Sequence, residues 1–314
     1  MNTNIAASVR QRLKNRARAE NRLFNDLLQY YVLERFLYRL GKSRHSQRFV
    51  LKGGLMFSAW QGPLMRPTHD IDLSGLTSNT AKNVVTLIQD ICRQSVTEDD
   101  GLLFLSEGVK AVDIHETAEY NGLRVTLTAI LGKARVPFQI DIGFGDPITP
   151  EPVPVQLPTL LNFPPPELRG YNRETLIAEK YQAMVYLGQI NSRLKDFYDI
   201  WALAVHFTFE GPALAQAILE TFRWRKTNLS LAPTALSSNF AHDVDKQKQW
   251  AAFLRQRKIE DAPVALDTVI EILNRFLQPI AQSLLENQDF KGTWPAGGPW
   301  QYIPDNSTHE SGHA

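Results

Sequence analysis

Three short stretches decide the fold of this 314-residue chain: FVLKGG at residues 49–54, DIDL at residues 70–73 and QIDI at residues 139–142. Residues i and i+2 of a strand point to the same side, so Asp70 and Asp72 share one face while the intervening apolar residues anchor the other face in the core. Two neighbouring like charges are costly unless a cation lies between them. The pattern therefore predicts a strand whose polar face carries chemistry.

A third acid and a glycine pair extend this prediction. Asp141 lies in a stretch with the same alternation and adds a carboxylate if its strand pairs beside the first. Three carboxylates suit Mg²⁺, which takes oxygen ligands and substrate phosphates. Gly53 and Gly54, at the start of a helical pattern, leave backbone N–H groups open to a triphosphate. Together these residues predict metal-assisted phosphoryl or nucleotidyl transfer, with two Mg²⁺ ions and a nucleoside triphosphate as substrate.

The composition excludes several classes of protein. With 43% hydrophobic and 21% charged residues the chain is not disordered, and the lone Cys92 allows neither an intramolecular disulfide nor a cysteine zinc site. The first residues lack the apolar core of a signal peptide, and no apolar run approaches the ~18 residues of a membrane span. We expect a cytoplasmic protein with no membrane partner.

The periodicity predicts an α+β (mixed α/β) protein. Strand-like alternation runs from residue 102 to 142, with a hairpin turn at Asn121-Gly122, and helical patterns dominate beyond residue 171. Eight of the 18 prolines fall between Pro147 and Pro166, which indicates extended chain. The predicted segments are a basic helical segment (1–48, one helix over 5–40), an α/β core (49–146), a proline-rich connector (147–170), a C-terminal helical domain (171–290) and a flexible tail (291–314).

Positive charge is concentrated at the N-terminus. Residues 1–50 contain 11 Lys/Arg against three acids, and six of these cations lie between Arg10 and Arg22 beside an apolar row at helical spacing. One interpretation is a surface helix whose long cationic side chains cover its own apolar stripe. The other is a contact with a phosphate backbone. Charge alone does not decide between them.

The motifs resemble those of the AbiEii/AbiGii nucleotidyltransferase toxin family. The resemblance rests on five motifs in the family's order: FVLKGG (49–54), RPTHDIDL (66–73), FQIDIGFGD (138–146), RETLIAEK (173–180) and NSRLKDFYDIW (191–201). It implies a DNA polymerase β-like nucleotidyltransferase core sheet with flanking helices, followed by a C-terminal helical domain.

The resemblance also implies a function. It indicates the toxin of a two-gene toxin–antitoxin or abortive-infection system, with an AbiEi-like antitoxin or transcriptional regulator encoded nearby. Asp70 and Asp72 would hold the metal pair, and Asp141 would complete the first metal and help to deprotonate the acceptor. The acceptor would be an RNA, with the 3′ end of tRNA as the leading candidate, and pyrophosphate would be released.

The C-terminal motifs have two interpretations. Lys180 and Asp199 lie at equal distances from a short turn, so they face each other in an antiparallel helix pair. They form either an ion pair that sets packing or, as the resemblance implies, part of a nucleotide site in which Lys180 binds the triphosphate. The resemblance gives Asp196 a supporting catalytic role and Arg193 a place in nucleotide binding, although Arg193 is equally consistent with a solvated charge.

Two rival functions remain open. One is an enzyme of the same fold that nucleotidylates or phosphorylates a protein. The other is a non-enzymatic nucleotide-binding module, against which the retention of three mutually repelling acids argues.

Overall fold

The computed structural model describes residues 3–60, 68, 70–117 and 120–302. These residues form two compact units. The sheet unit comprises the described parts of residues 1–146 and 151–172, and the helical unit comprises residues 147–150 and the described part of 173–314.

A mixed sheet of eight described strands forms the centre of the sheet unit. Its strands are β1 (Phe49–Lys52), β2 (Asp70–Gly75), β3 (Leu102–Phe104), β4 (Lys110–Thr117), β5 (Tyr120–Leu131), β6 (Ala134–Phe144), β7 (Val153–Gln156) and β8 (Glu167–Gly170). The strand order is β3-β5-β6-β2-β1-β8-β7, and β4 also pairs with β5. The β2–β6 and β1–β8 pairs are parallel and the others antiparallel. The predicted mixed α/β class is confirmed.

The described part of this unit also contains the helices α1 (Thr3–Ala19), α2 (Phe24–Lys42), α3 (Met56–Ala59) and α4 (Ala81–Cys92). The alternation in β5 and β6 sends Val125 and Ile140 into the core, where α2 contributes Phe36. The prediction of a single helix over residues 5–40 is wrong. The first helix ends at Ala19, and Asn21 adopts a left-handed φ of 49° before the second helix begins. Asparagine tolerates that conformation, so the helix ends without a glycine or proline signal.

The predicted hairpin turn at Asn121-Gly122 is also wrong. Both residues lie inside β5, where Gly122 pairs with Ile114 and Asn121 with His115. A Cβ atom on Gly122 would lie 3.0 Å from the Ile142 carbonyl oxygen. The glycine therefore allows a close approach between strands rather than a turn.

The proline-rich segment contributes to the sheet instead of only connecting two domains. β7 pairs with β8, which pairs in parallel with β1. Pro154 is accommodated because β7 is an edge strand, where a missing N–H donor costs little.

The helical unit contains α5 (Arg173–Leu187), α6 (Leu194–His206), α7 (Gly211–Trp224), α8 (Ser238–His242), α9 (Val244–Arg257) and α10 (Leu266–Leu285). The short strands β9 (Phe209–Glu210), β10 (Gly292–Trp294) and β11 (Gln301–Tyr302) form a second sheet. No helix in the described part of the chain is both long and apolar enough to cross a bilayer.

The first half of the expected tail is folded. The rings of Trp294 and Trp300 lie 4.9 and 5.7 Å from that of Phe276, and the Trp294 indole donates a hydrogen bond to the Ala204 carbonyl at 2.7 Å. Aromatic burial outweighs the glycine and proline content that suggested flexibility. Residues 303–314 of the expected tail lie outside the described residues.

Candidate active site

Strand register brings the three predicted acids together. In the parallel β2–β6 pair, Asp72 lies opposite Asp141, and Asp70 lies opposite Gln139. Residues in register point to the same side of the sheet, as do residues two apart along a strand. One carboxylate oxygen from each of Asp70, Asp72 and Asp141 lies within 4.8 Å of the others, and all three residues are half-buried. We call these residues the acidic triad.

Gly53 lies directly against the acidic triad. β1 ends at Lys52, opposite Asp72, and Gly53 follows with a φ of +70°. A Cβ atom at this position would lie 2.0 Å from the Asp72 Oδ2 atom. The backbone passes this close to the carboxylate only because Gly53 has no side chain. The chain then turns through Gly54, which is buried, into α3.

The loop before β2 is described in part. The Thr68 hydroxyl donates a hydrogen bond of 2.8 Å to Asp70 Oδ1, which orients that carboxylate. Arg66, Pro67 and His69 of the quoted motif lie outside the described residues.

Arg124 is a site residue that the sequence did not reveal. It lies on β5 opposite Asp141, and its Nε and Nη2 atoms donate to the two carboxylate oxygens at 2.8 and 2.7 Å. Such paired, charge-assisted bonds fix a carboxylate in orientation. Three carboxylates and one guanidinium give the triad with Arg124 a formal charge of −2. The signal that would have identified Arg124 is its cross-strand register with Asp141, which is not local in sequence.

Lys52 is a second cation on this face. Its Nζ atom lies 3.9 Å from Asp146 Oδ2 and 5.6 Å from the Tyr171 ring. Since Lys52 is the register partner of Asp72, it places positive charge next to the acidic triad.

The acidic triad fits a magnesium site. It offers three hard oxygen donors from two adjacent strands, and Gly53 adds no side chain beside the Asp72 carboxylate. Each carboxylate has about four lone-pair positions, so the two bonds from Arg124 leave Asp141 able to bind a cation.

The other predicted site residues form a cluster within the helical unit. Lys180 Nζ lies 2.6 Å from Asp196 Oδ1 and 2.9 Å from Asp199 Oδ2, and Arg193 Nε lies 2.8 Å from Asp196 Oδ2. Asp196 and Asp199 are fully buried. Burial acts to raise the pKa of Asp196, but Lys180 and Arg193 outweigh it and hold that pKa below its ordinary value. The expected juxtaposition of Lys180 and Asp199 is present, and we call these four residues the buried ion cluster.

A model of a protein family matches residues 35–272, about three quarters of the chain; its description is "Nucleotidyl transferase AbiEii toxin, Type IV TA system". A crystal structure of a candidate nucleotidyltransferase from Helicobacter pylori is similar with a TM-score of 0.47 and 16% identity, covering 84% of this chain and 98% of that one. The Helicobacter pylori protein JHP933 is similar with a TM-score of 0.45 and 16% identity, covering 83% and 94%. A search of curated proteins found no significant match.

Proposed function

We propose that this chain, which belongs to the AbiEii nucleotidyltransferase toxin family of type IV toxin–antitoxin systems, transfers a nucleoside monophosphate from a nucleoside triphosphate to an RNA. The 3′ end of tRNA is the leading acceptor, and pyrophosphate is the second product. The observation that carries the proposal is the convergence of three carboxylate oxygens within 4.8 Å beside a glycine turn.

Asp70, Asp72 and Asp141 would hold Mg²⁺. The ion, when bound, supplies charge stabilisation for the attacking and leaving oxygens of an in-line displacement at the α-phosphate. Asp141 accepts the proton of the acceptor hydroxyl at a carboxylate oxygen. Arg124 fixes the plane of the Asp141 carboxylate through its two hydrogen bonds, so that the accepting oxygen keeps its direction.

Gly53 and Gly54 receive the triphosphate in this proposal. Backbone N–H groups at the first turn after β1 donate to phosphate oxygens, and the absent side chain at position 53 lets them approach. Lys52 adds positive charge on the same face.

For the buried ion cluster we propose that Lys180 and Arg193 contact the triphosphate and that Asp196 and Asp199 orient them. Support comes from the family membership and from the 2.6–2.9 Å contacts that fix both cations. A purely structural ion network is the rival interpretation. Arg193→Gln separates the two, since nucleotide binding weakens only if Arg193 contacts the triphosphate, whereas a structural role changes stability alone.

The partner proposed for the cell is a cognate AbiEi-like antitoxin or transcriptional regulator encoded nearby. Family membership supports this, because a type IV toxin belongs to a toxin–antitoxin pair. Blocked tRNA aminoacylation would account for growth arrest.

The test is incubation of the purified protein with each α-labelled nucleoside triphosphate, Mg²⁺ and total cellular RNA. Wild type is expected to label an RNA band of tRNA size, and Asp72→Asn is expected to lower labelling by at least about 10²-fold because charge stabilisation at the reacting phosphate is lost. Asp113→Asn is the matched control, since Asp113 is exposed and lies on β4 outside the acidic triad.

Three outcomes contradict the proposal. Label on a protein band indicates a protein acceptor, and transfer from γ-labelled but not α-labelled nucleotide indicates phosphorylation. Toxicity retained by a folded Asp72→Asn protein indicates a non-enzymatic module.

A further inference from the structure

The polar face of the sheet continues beyond the acidic triad. A row of side chains in register crosses four strands next to it: Asp70 on β2, Gln139 on β6, Thr126 on β5 and Lys110 on β4. Since register partners share a face and the side-chain period is two, Thr128 and Pro137 continue the same face one step further. Arg135 follows at the next step along β6.

A cleft of about 620 Å³ opens on this face. Its walls include Asp70, Gln139, Thr126, Thr128 and Lys110, together with Gln29 from α2. Because Asp70 belongs to both the cleft and the acidic triad, the cleft adjoins the triad at this carboxylate.

Beyond the acidic triad, the described charged side chains on this face are positive. Among the described side chains that point to this side from β4, β5 and β6, the charged ones beyond the triad and its partner Arg124 are Lys110 and Arg135. Lys110 and Arg135 are exposed to solvent. Since Lys110 is in register with Gln139 through Thr126, a polyanion lying along the face meets cations over a length of roughly 13 Å, the span of four residues of β6 at ~3.3 Å each.

The uncharged groups between these cations both donate and accept hydrogen bonds. The hydroxyls of Thr126 and Thr128 and the amide of Gln139 can pair with base edges and ribose hydroxyls. Base edges are accessible in single-stranded RNA, whereas the deep major groove of an RNA duplex hides them. A positively charged groove that follows the phosphate backbone is a feature of single-strand binding surfaces.

We propose that this face binds the single-stranded 3′ end of the RNA acceptor and delivers its terminal hydroxyl to the acidic triad from the Asp70 side. Lys110 and Arg135 contact phosphates, while Thr126 and Gln139 contact bases or riboses. This assignment rests on the proposed function, because it supplies the acceptor side of that reaction.

The test compares Lys110→Ala/Arg135→Ala with the matched control Lys82→Ala/Arg255→Ala, in which an exposed lysine and arginine lie outside this face. The probes are an RNA hairpin with a four-nucleotide 3′ overhang and the same hairpin with a blunt end. Fluorescence anisotropy without nucleotide should show weaker binding of the overhang RNA to the first variant. The slope of log K against log salt should fall by about 1.4, since each single-strand phosphate contact contributes ~0.7. Binding of the blunt hairpin should change little.

Steady-state labelling adds a second measurement. The KM for overhang RNA should rise several-fold in Lys110→Ala/Arg135→Ala, while the KM for the nucleotide stays at the wild-type value. Unchanged RNA affinity and KM in a variant whose thermal unfolding matches wild type overturn the proposal, as does labelling of a protein in place of RNA. If wild type labels no RNA with any nucleotide, the proposed function itself has failed; if wild type labels RNA and the variant does so equally well, only the acceptor surface is wrong.

Discussion

The acidic triad and the buried ion cluster both gather charged side chains from distant parts of the chain, but they balance charge differently. The triad places three half-buried carboxylates against the guanidinium of Arg124. The buried ion cluster places two fully buried carboxylates against two cations, Lys180 and Arg193. Counted over these described groups, the first arrangement has more carboxylates than cations, whereas the second has two of each. Charge balance, rather than the number of acids, therefore distinguishes the proposed metal site from the ion network.

Removing a cation from the buried ion cluster should have the largest effect. Lys180→Met leaves Asp199 and one oxygen of Asp196 without their 2.9 and 2.6 Å contacts to Lys180 in a buried setting, so the free energy of unfolding should fall by about 3–5 kcal/mol. Urea denaturation measures this loss. Lys248→Met is the control, because Lys248 forms an exposed pair with Asp245 and its loss should cost about 0–1 kcal/mol. Equal free energies of unfolding for the two variants would show that Lys180 does not stabilise the buried carboxylates.

A third group of buried charges extends the comparison to pH. Glu34 is buried on α2, where it accepts a hydrogen bond of 2.7 Å from the Leu160 N–H and lies beside Arg35. Burial, against the opposing effects of that hydrogen bond and of Arg35, raises the pKa of Glu34 from 4.5 to about 7. The folded state therefore binds this proton more tightly than the unfolded state, so the contribution of Glu34 to the free energy of unfolding is largest below pH 4.5, falls as pH rises towards 7 and is then level.

Glu34→Gln should remove this pH dependence. Glutamine keeps an oxygen for the Leu160 N–H but does not ionise. The free energy of unfolding of the variant should therefore increase relative to that of wild type as pH rises from 5 to 7. Urea denaturation at half-unit steps of pH measures the difference. A difference between the two proteins that does not vary with pH would mean that Glu34 is already ionised throughout.

Arg124 is the cation that contacts the acidic triad. Removing it should strengthen metal binding, whereas Lys180→Met should lower the stability of the fold. Arg124→Met takes away positive charge beside the carboxylates, so Mn²⁺, as a spectroscopic substitute for Mg²⁺, should bind about fivefold more tightly, on the order of 1 kcal/mol for a partly exposed pair. Titration followed by electron paramagnetic resonance measures the affinity. Arg93→Met, which breaks an exposed 2.7 Å pair with Glu107, should leave it unchanged. Weaker Mn²⁺ binding in Arg124→Met would show that orienting Asp141 matters more than charge.

Substitution of the cations on α1, which lie outside both clusters, should have the smallest effect. α1 buries its apolar row and turns Arg10 and Arg18 to solvent, with Lys14 half-buried. If this basic face contacts the acceptor backbone, Arg10→Gln/Lys14→Gln/Arg18→Gln should lower the slope of log K for RNA against log salt by about 2. A control set, Lys248→Gln/Arg255→Gln/Arg275→Gln, should keep the wild-type slope. An unchanged slope in the α1 variant would mean that α1 does not contact RNA and only packs on the core.

Regular periodicity made much of the fold predictable. The helical pattern expected beyond residue 171 agrees with α5 and α10, and β2 and β6 follow from their alternation of acids and apolar residues. The convergence of Asp72 with Asp141 was predictable as soon as the two strands were taken as neighbours.

What escaped prediction depends on contacts between distant residues. Arg124 belongs to the site because β5 pairs with β6 in one particular register, which no local pattern encodes. Residues around Gly298 have the composition of a loose tail, yet Gly298 packs against Trp294 and this segment is ordered by its aromatic neighbours. The left-handed Asn21 ended a helix that charge and hydropathy would have continued.

The parallel pairing of β2 with β6 restricts where residues can be inserted into this chain. Asp72 and Asp141 meet because their strands are aligned residue for residue. Inserting a single residue early in β6 would turn Asp141 into the hydrophobic core and bring Ile140 to the polar face in its place, since a strand alternates its faces at every step. The same insertion in the turn at Gly132 would lengthen a loop and leave the carboxylates where they are. Length changes should therefore be tolerated at the hairpin tip and excluded from the strand, irrespective of which side chains are added.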